Sequence, residues 1–270
     1  MDIPRSYLFV PGNRPDRFAK ACASGAHAVI IDLEDAVPEA EKPAAREAVA
    51  GWLNLAQPVL IRINGAETTW FRDDVTICRV PGVAAIVLPK TEGVDHLRRV
   101  EELLGDRVPI VPLIETAQGF SNVQEIARHA AVHRLVFGAL DFQLDLGIRG
   151  DRDELLYFRS QLVLVSRLAG IQPPVDGINT EIADPEPIRA DTLHARRLGF
   201  GGKLCIHPRQ VPLVNACFLP TEDEISWARR IIAAATASGG GAVADQGHMV
   251  DRPIILRAEQ ILREANPSSK

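Results

Sequence analysis

A chain of 270 residues with net charge −5, 46% apolar and 24% charged, has the balance of a globular protein with ample material for a core. So mild a charge, without clustered basic residues, argues against nucleic acid or an anionic membrane surface as a partner. No apolar run approaches the ~20 residues of a membrane span, and Met1–Arg5 leads at once into a charged strand start with no small-residue cleavage site. Cys22, Cys78, Cys205 and Cys217 form no CxxC pair and no metal spacing, so a cytoplasmic protein with free thiols is expected.

The first β-branched run, Tyr7–Val10, is followed by a helical stretch over Pro15–Ala23. Ala28–Leu33 leads to a helix over Glu41–Leu53, and Val59–Asn64 stands before Ala85–Pro89 and the amphipathic Val94–Leu104. Ile110–Glu115 precedes a helix over Asn122–Ala130, Leu135–Asp141 precedes Glu154–Ala169, and Val175–Ile178 precedes Pro187–Leu198. Lys203–His207 is the last strand. Eight strands alternating with helices predict βαβ units and a parallel sheet, and their number favours a (β/α)8 TIM barrel over a doubly wound open sheet. A further helix, Glu222–Ala237, runs into Ser238-Gly239-Gly240-Gly241, a flexible link without phosphate-loop spacing, and a last helix covers Pro253–Arg263. The expected organisation is a barrel over residues 1–237, with residues 238–270 as glycine hinge and C-terminal lid helix or exchanged arm, too small to be independent.

Active sites of such barrels gather at the C-terminal ends of the strands, and strand side chains alternate between interior and helix layer. In strand three, Leu60, Arg62 and Asn64 share one face while Val59, Ile61 and Ile63 share the other. Arg62 therefore points inward near the top, where it must meet anions: a substrate carboxylate, an enolate oxygen or a structural carboxylate partner. Strands five and six are apolar until they end in Glu115 and Asp141. Two such carboxylates on adjacent strands repel unless a cation sits between them. Hard oxygens without nearby His or Cys favour Mg²⁺; the bland alternative is helix capping or pairing with Arg62.

The remaining strand ends carry further candidates. In Asp32-Leu33-Glu34-Asp35, Asp32 and Glu34 share a face, so Glu34 can hold a water, orient Arg62 or simply be solvated. Lys90 ends strand four and suits an ion pair better than a Schiff base. His207 shares a parity with Lys203 and Cys205, with a structural role as likely a reading as a site role, and Asp145 is either near the site or at a helix start. Arg14, Arg17 and Lys20 lie beside the first helix start, where phosphates can bind. The seven histidines show no HExxH spacing, against a zinc hydrolase.

Arg5-Ser6-Tyr7-Leu8-Phe9-Val10-Pro11-Gly12, Asp32-Leu33-Glu34-Asp35-Ala36-Val37, Ile61-Arg62-Ile63-Asn64, Leu88-Pro89-Lys90, Ile114-Glu115-Thr116, Gly138-Ala139-Leu140-Asp141-Phe142 and Ile206-His207-Pro208 occur in order along the chain. Together they resemble the citrate lyase β-subunit-like group of the HpcH/HpaI aldolase superfamily. The resemblance implies a Mg²⁺-dependent lyase that cleaves a 3-hydroxyacyl-CoA thioester (citramalyl-, malyl- or citryl-CoA) to a keto acid and an acyl-CoA. Glu115 and Asp141 fall on the family's metal ligands, and Arg62 falls on its substrate-binding arginine. Gly247-His248-Met249-Val250-Asp251 resembles a tail motif whose aspartate reaches a neighbouring subunit's site, although valine stands where isoleucine is usual. That implies Asp251 as acid/base, a homo-oligomer (a trimer or its multiple), and Arg17 and Lys20 as contacts for CoA phosphates. Glu34 completes the catalytic set with Arg62 and Asp251. Three alternatives stay open: malate-synthase-like or malyl-CoA thioesterase activity, a CoA-independent metal-dependent aldolase, and a citrate lyase complex subunit that is inactive alone.

Overall fold

A computed structural model describes residues 3–105, 108–237, 243–245 and 248–265. The chain divides into two compact units, Ile3–Asn215 and Ala216–Lys270. The first is a closed barrel of eight parallel strands in chain order: β1 (Ser6–Pro11), β2 (Ala28–Asp32), β3 (Val59–Arg62), β4 (Val83–Leu88), β5 (Ile110–Ile114), β6 (Arg134–Phe137), β7 (Gln172–Asp176) and β8 (Gly202–Cys205). Closure comes from β8 returning to β1, with Ser6 opposite Lys203 and Tyr7 opposite Leu204.

Period-two alternation explains the two layers. Tyr7, Ile30, Leu60, Val87, Val111, Leu113, Val136, Val175 and Leu204 pack together as the barrel interior. Their neighbours Ile31, Ile61, Ile86, Ile114 and Phe137 are fully buried on the opposite parity, toward the helices. Burying each such side chain contributes roughly 1.5–3 kcal/mol. The surrounding helices are α1 (Phe18–Cys22), α2 (Lys42–Trp52), α3 (Phe71–Ile77), α4 (Val94–Leu104), α5 (Ala117–Ser121), α6 (Val123–Ala127), α7 (Ala139–Leu146), α8 (Asp153–Ala169) and α9 (Pro185–Leu198), while α10 (Gln210–Cys217) crosses the boundary between the units.

One strand end differs from expectation in a way that matters. β6 stops at Phe137, and Gly138 turns the chain into α7, so Asp141 is the third residue of a helix, not the last of a strand. An apolar run of this length reads equally as strand or helix. A carboxylate in a first helical turn is favoured by the helix dipole.

Outside the barrel wall lies a buried charged cluster. Asp176 pairs in register with Lys203, and both take the parity facing the helices. Asp176 accepts from Arg159 Nε and from Lys203 Nζ, each at 2.9 Å, and Lys203 Nζ also meets Asp191 at 2.7 Å. All four residues are buried. Burial opposes the charge of Asp176, but Lys203 and then Arg159 outweigh it and lower its pKa.

The second unit contains α11 (Glu222–Ala237), an antiparallel pair formed by β9 (Val243–Asp245) and β10 (His248–Val250), and α12 (Arg252–Ala265). Its core is Ala228 and Ile231 of α11 packed with Val250, Ala258 and Ile261. The glycine link over 238–241 and Gly247 lie outside the described residues. No helix among the described residues is long and apolar enough to cross a membrane.

Candidate active site

The inward parity that Leu60 sets on β3 carries Arg62 to the C-terminal mouth of the barrel, opposite Asp32 at the end of β2. The guanidinium forks onto that carboxylate, Nε to Oδ1 at 2.7 Å and Nη2 to Oδ2 at 2.6 Å, and stands 4.8 Å above the Phe9 ring. The same two oxygens accept the backbone N–H of Glu34 (2.9 Å) and of Ala36 (3.1 Å). Asp32 therefore closes the acidic turn and anchors the arginine at once. Parity placed Asp32 on this face, but nothing in the sequence marked it as Arg62's partner. Burial opposes the charge on Arg62; Asp32 foremost, then Glu34 and Asp35, raise its pKa nonetheless. Its Nη1 lies 3.1 Å from Glu34 Oε2 but is poorly aimed, so that buried oxygen has no hydrogen-bond partner.

Lys90 joins the two glutamates. It is the one non-glycine residue among those described with a left-handed backbone, φ 46°, a conformation that costs of order 1 kcal/mol and recurs at functional sites. In that conformation its backbone N–H donates to Glu115 Oε1 at 2.7 Å while its Nζ donates to Glu34 Oε1 at 2.6 Å. The ion-pairing role is what the geometry shows. Burial raises the Glu34 pKa, against the pull of Arg62 and Lys90. Glu115 is 2% exposed, and burial foremost, then the charges of Glu34 and Asp141, push its carboxyl up to about 8.

Gly138 makes room for this carboxylate. A Cβ there would stand 2.5 Å from both Cβ and Oε2 of Glu115. Gly138→Ala is therefore expected to displace Glu115 and to destabilise the barrel by about 1–3 kcal/mol, the usual cost of overpacking, measurable by urea denaturation. Asp141, one helical turn on, is half-buried, accepts no hydrogen bond and forms no ion pair among the described residues. Its charge is nonetheless felt by Glu115. A buried and a half-buried carboxylate repelling each other, without a compensating cation on Asp141, are a donor set that fits a hard divalent ion. No group of three or more such side chains is placed for a metal among the described residues. A bound ion would take two protein carboxylates and draw its other oxygens from water or substrate, the habit of Mg²⁺.

Asp145 accepts from Ala117 N at 2.7 Å, at the start of α5. The inward residue of β8 is Leu204, so Lys203 and Cys205 face the helices, and His207 Nδ1 accepts from Arg209 N within its own turn at 3.1 Å. Arg17 and Lys20 are exposed beside the first helix start, where Arg14 is paired with Asp16 at 2.9 Å. Asp251 belongs to the second unit, where its Oδ1 accepts from Ile254 N at 3.3 Å and so caps α12.

The chain has known relatives in sequence and in fold. The citrate lyase subunit beta-like protein of Deinococcus radiodurans is 41% identical, covering 96% of each chain. A (3S)-malyl-CoA thioesterase of Cereibacter sphaeroides is 36% identical over 97% of this chain and 94% of its own. The crystal structure of CitE from Mycobacterium tuberculosis in complex with magnesium, acetoacetate and coenzyme A superposes with a TM-score of 0.88 at 34% identity, covering 97% of this chain and 98% of that one. The family model described as HpcH/HpaI aldolase/citrate lyase matches residues 5–208, from the start of the barrel to beyond its eighth strand. By sequence and by fold, this chain belongs to the HpcH/HpaI aldolase/citrate lyase family.

Proposed function

We propose that this chain is a carbon–carbon lyase that cleaves a 3-hydroxyacyl-CoA thioester of the citramalyl-, malyl- or citryl-CoA type to a keto acid and an acyl-CoA. The observation that carries this reading is the Glu115–Asp141 carboxylate pair, with no cation paired to Asp141 among the described residues, joined through Lys90 and Glu34 to the anchored cation Arg62. Glu115 and Asp141 are the residues that would hold Mg²⁺, which when bound supplies Lewis acidity that lowers the 3-hydroxyl pKa and anchors the keto acid. Cleavage moves the hydroxyl proton to a base, breaks the C2–C3 bond to leave a carbonyl at C3, and leaves an enolate at C2 that is then protonated. Asp32 keeps Arg62 in place, and the guanidinium opposes the negative charge that develops on the thioester oxygen. Glu34, held by Lys90 and facing Arg62, fixes that guanidinium from its other side. Arg17 and Lys20 are proposed contacts for the CoA phosphates.

Asp251 is proposed as the base, with the subunit acting as a homo-oligomer (a trimer or its multiple) in the cytoplasm. Exposed Leu140 and Leu144 on α7 and Tyr157 on α8 support association, which light scattering would measure. Asp251→Ala is expected to cost about 1 kcal/mol as a lost helix cap and to lower kcat by about 10²–10⁴-fold. A cap cost without loss of kcat would remove Asp251 from the mechanism.

The kinship with a (3S)-malyl-CoA thioesterase favours one second reading, hydrolysis of the thioester. The test of both is cleavage of citramalyl-, malyl- and citryl-CoA, with and without EDTA, by wild type and Asp141→Ala. Keto acid and acyl-CoA that vanish with EDTA and in the variant support the lyase. Release of free CoA identifies the thioesterase, and activity indifferent to EDTA overturns the metal-dependent reading.

A further inference from the structure

Lys42 opens α2 with its side chain almost fully buried, yet it forms no ion pair among the described residues. Its Nζ donates three hydrogen bonds instead: to the carbonyl oxygens of Leu33 (2.8 Å) and Glu34 (2.7 Å) and to Asn64 Oδ1 (2.7 Å). A lysine ammonium has three donors, and each finds one acceptor. Asn64 is held in turn by Asp74, whose Oδ2 accepts from Asn64 N at 2.9 Å and from Asn64 Nδ2 at 2.6 Å, while Arg46 Nε donates to Asp74 Oδ1 at 2.8 Å. Asn64 and Asp74 are buried as well.

Burying a lysine costs several kcal/mol unless its donors are met, and tying a loop to a helix does not by itself demand a cation. What distinguishes this one is where its acceptors lie. Two are the main-chain carbonyls of the residues that follow Asp32, the anchor of Arg62, and that include Glu34, the partner of Lys90. The turn is gripped on two sides: Asp32 takes its N–H groups, and Lys42 takes its carbonyls. With both sets engaged, the Glu34 backbone has little freedom, and its carboxylate must stand between Arg62 and Lys90.

We propose that Lys42 is a positioning residue for this site, fixing the Leu33–Glu34 backbone so that Glu34 meets Arg62 and Lys90 in register. The geometric part of this inference is independent of the reaction; its kinetic consequence rests on the lyase reading. The test compares wild type with Lys42→Met, Lys42→Arg, Glu34→Gln and the double variant Lys42→Met/Glu34→Gln. Hydrogen exchange of a peptide spanning residues 33–37 should quicken about tenfold in Lys42→Met, with the β5 peptide unchanged. Its kcat should fall on the order of 10–100-fold, as for other residues that orient a site's contacting groups. The double variant should be no slower than the slower single variant, because both act through one carboxylate. Lys42→Arg keeps the charge, but its planar fork cannot meet three convergent acceptors; it should restore stability more than kcat, and it carries the same measurements if Lys42→Met does not fold. Unchanged exchange over 33–37, or losses that multiply in the double variant, overturn the proposal. If wild type cleaves none of the thioesters, the lyase reading falls, while the exchange comparison still decides whether Lys42 holds the turn.

Discussion

Replacing Glu115 by glutamine is expected to lower kcat/KM at least about 10³-fold while raising the melting temperature of the metal-free protein. The first effect follows from the proposed loss of one of two ligands: a metal contributes several kcal/mol of charge stabilisation, and about 4 kcal/mol corresponds to 10³-fold. The second follows from what Glu115 faces. Its carboxyl is buried, with the charges of Glu34 and Asp141 close enough to raise its pKa further, and an amide of the same shape removes that repulsion. Mg²⁺ should then raise the melting temperature of wild type, by about 2.7 kcal/mol of stabilisation at 100 times Kd, and leave that of Glu115→Gln unmoved. Calorimetry with EDTA or Mg²⁺ reads both. A variant that is less stable than wild type without metal, or that still responds to Mg²⁺, would show that Glu115 is a structural group.

Asp176→Ala is expected to destabilise the barrel by about 3–5 kcal/mol, because it leaves two buried cations, Lys203 and Arg159, with one carboxylate partner each, Asp191 and Asp151. At roughly 2–4 °C per kcal/mol for a unit of this size, the melting temperature should fall by about 6–20 °C. The pH dependence has a definite sign. Lys203 and Arg159 outweigh burial and lower the Asp176 pKa below its ordinary 3.8. Its stabilising contribution is therefore complete above that ordinary value and is lost as the pH falls through the lowered one. Wild type and variant should differ fully at neutral pH and converge in acid. A constant difference, or a loss under about 1 kcal/mol, would show that the cluster relaxes or admits water.

Much of this was legible before any coordinates. Alternation of short β-branched runs with helical stretches predicts all eight strands, and because a side chain's face follows from its place along a strand, Arg62 is assigned inward and Asp32 and Glu34 to one shared face. The carboxylate pair was legible as chemistry but misread as geometry at Asp141. Strand and helix are degenerate for so short an apolar run, and the switch at Gly138 was settled by the room Glu115 needs. On strand eight, a parity argument anchored on His207 pointed Lys203 the wrong way. The inward residue there is Leu204, which only the packed interior reveals.

What the amino-acid sequence determined by itself is what local periodicity and residue chemistry encode: a (β/α)8 barrel, its family, and the residue types gathered at its strand ends. What only the tertiary structure decided is which of these groups meet. Arg62 sits on Asp32, 30 positions away; Lys90 bridges to Glu34 and Glu115, 56 and 25 positions away; and Lys42 reaches across to Asn64, 22 positions away. Such pairings come from barrel closure and loop geometry, which bring residues together through space and leave no spacing in the chain to announce it.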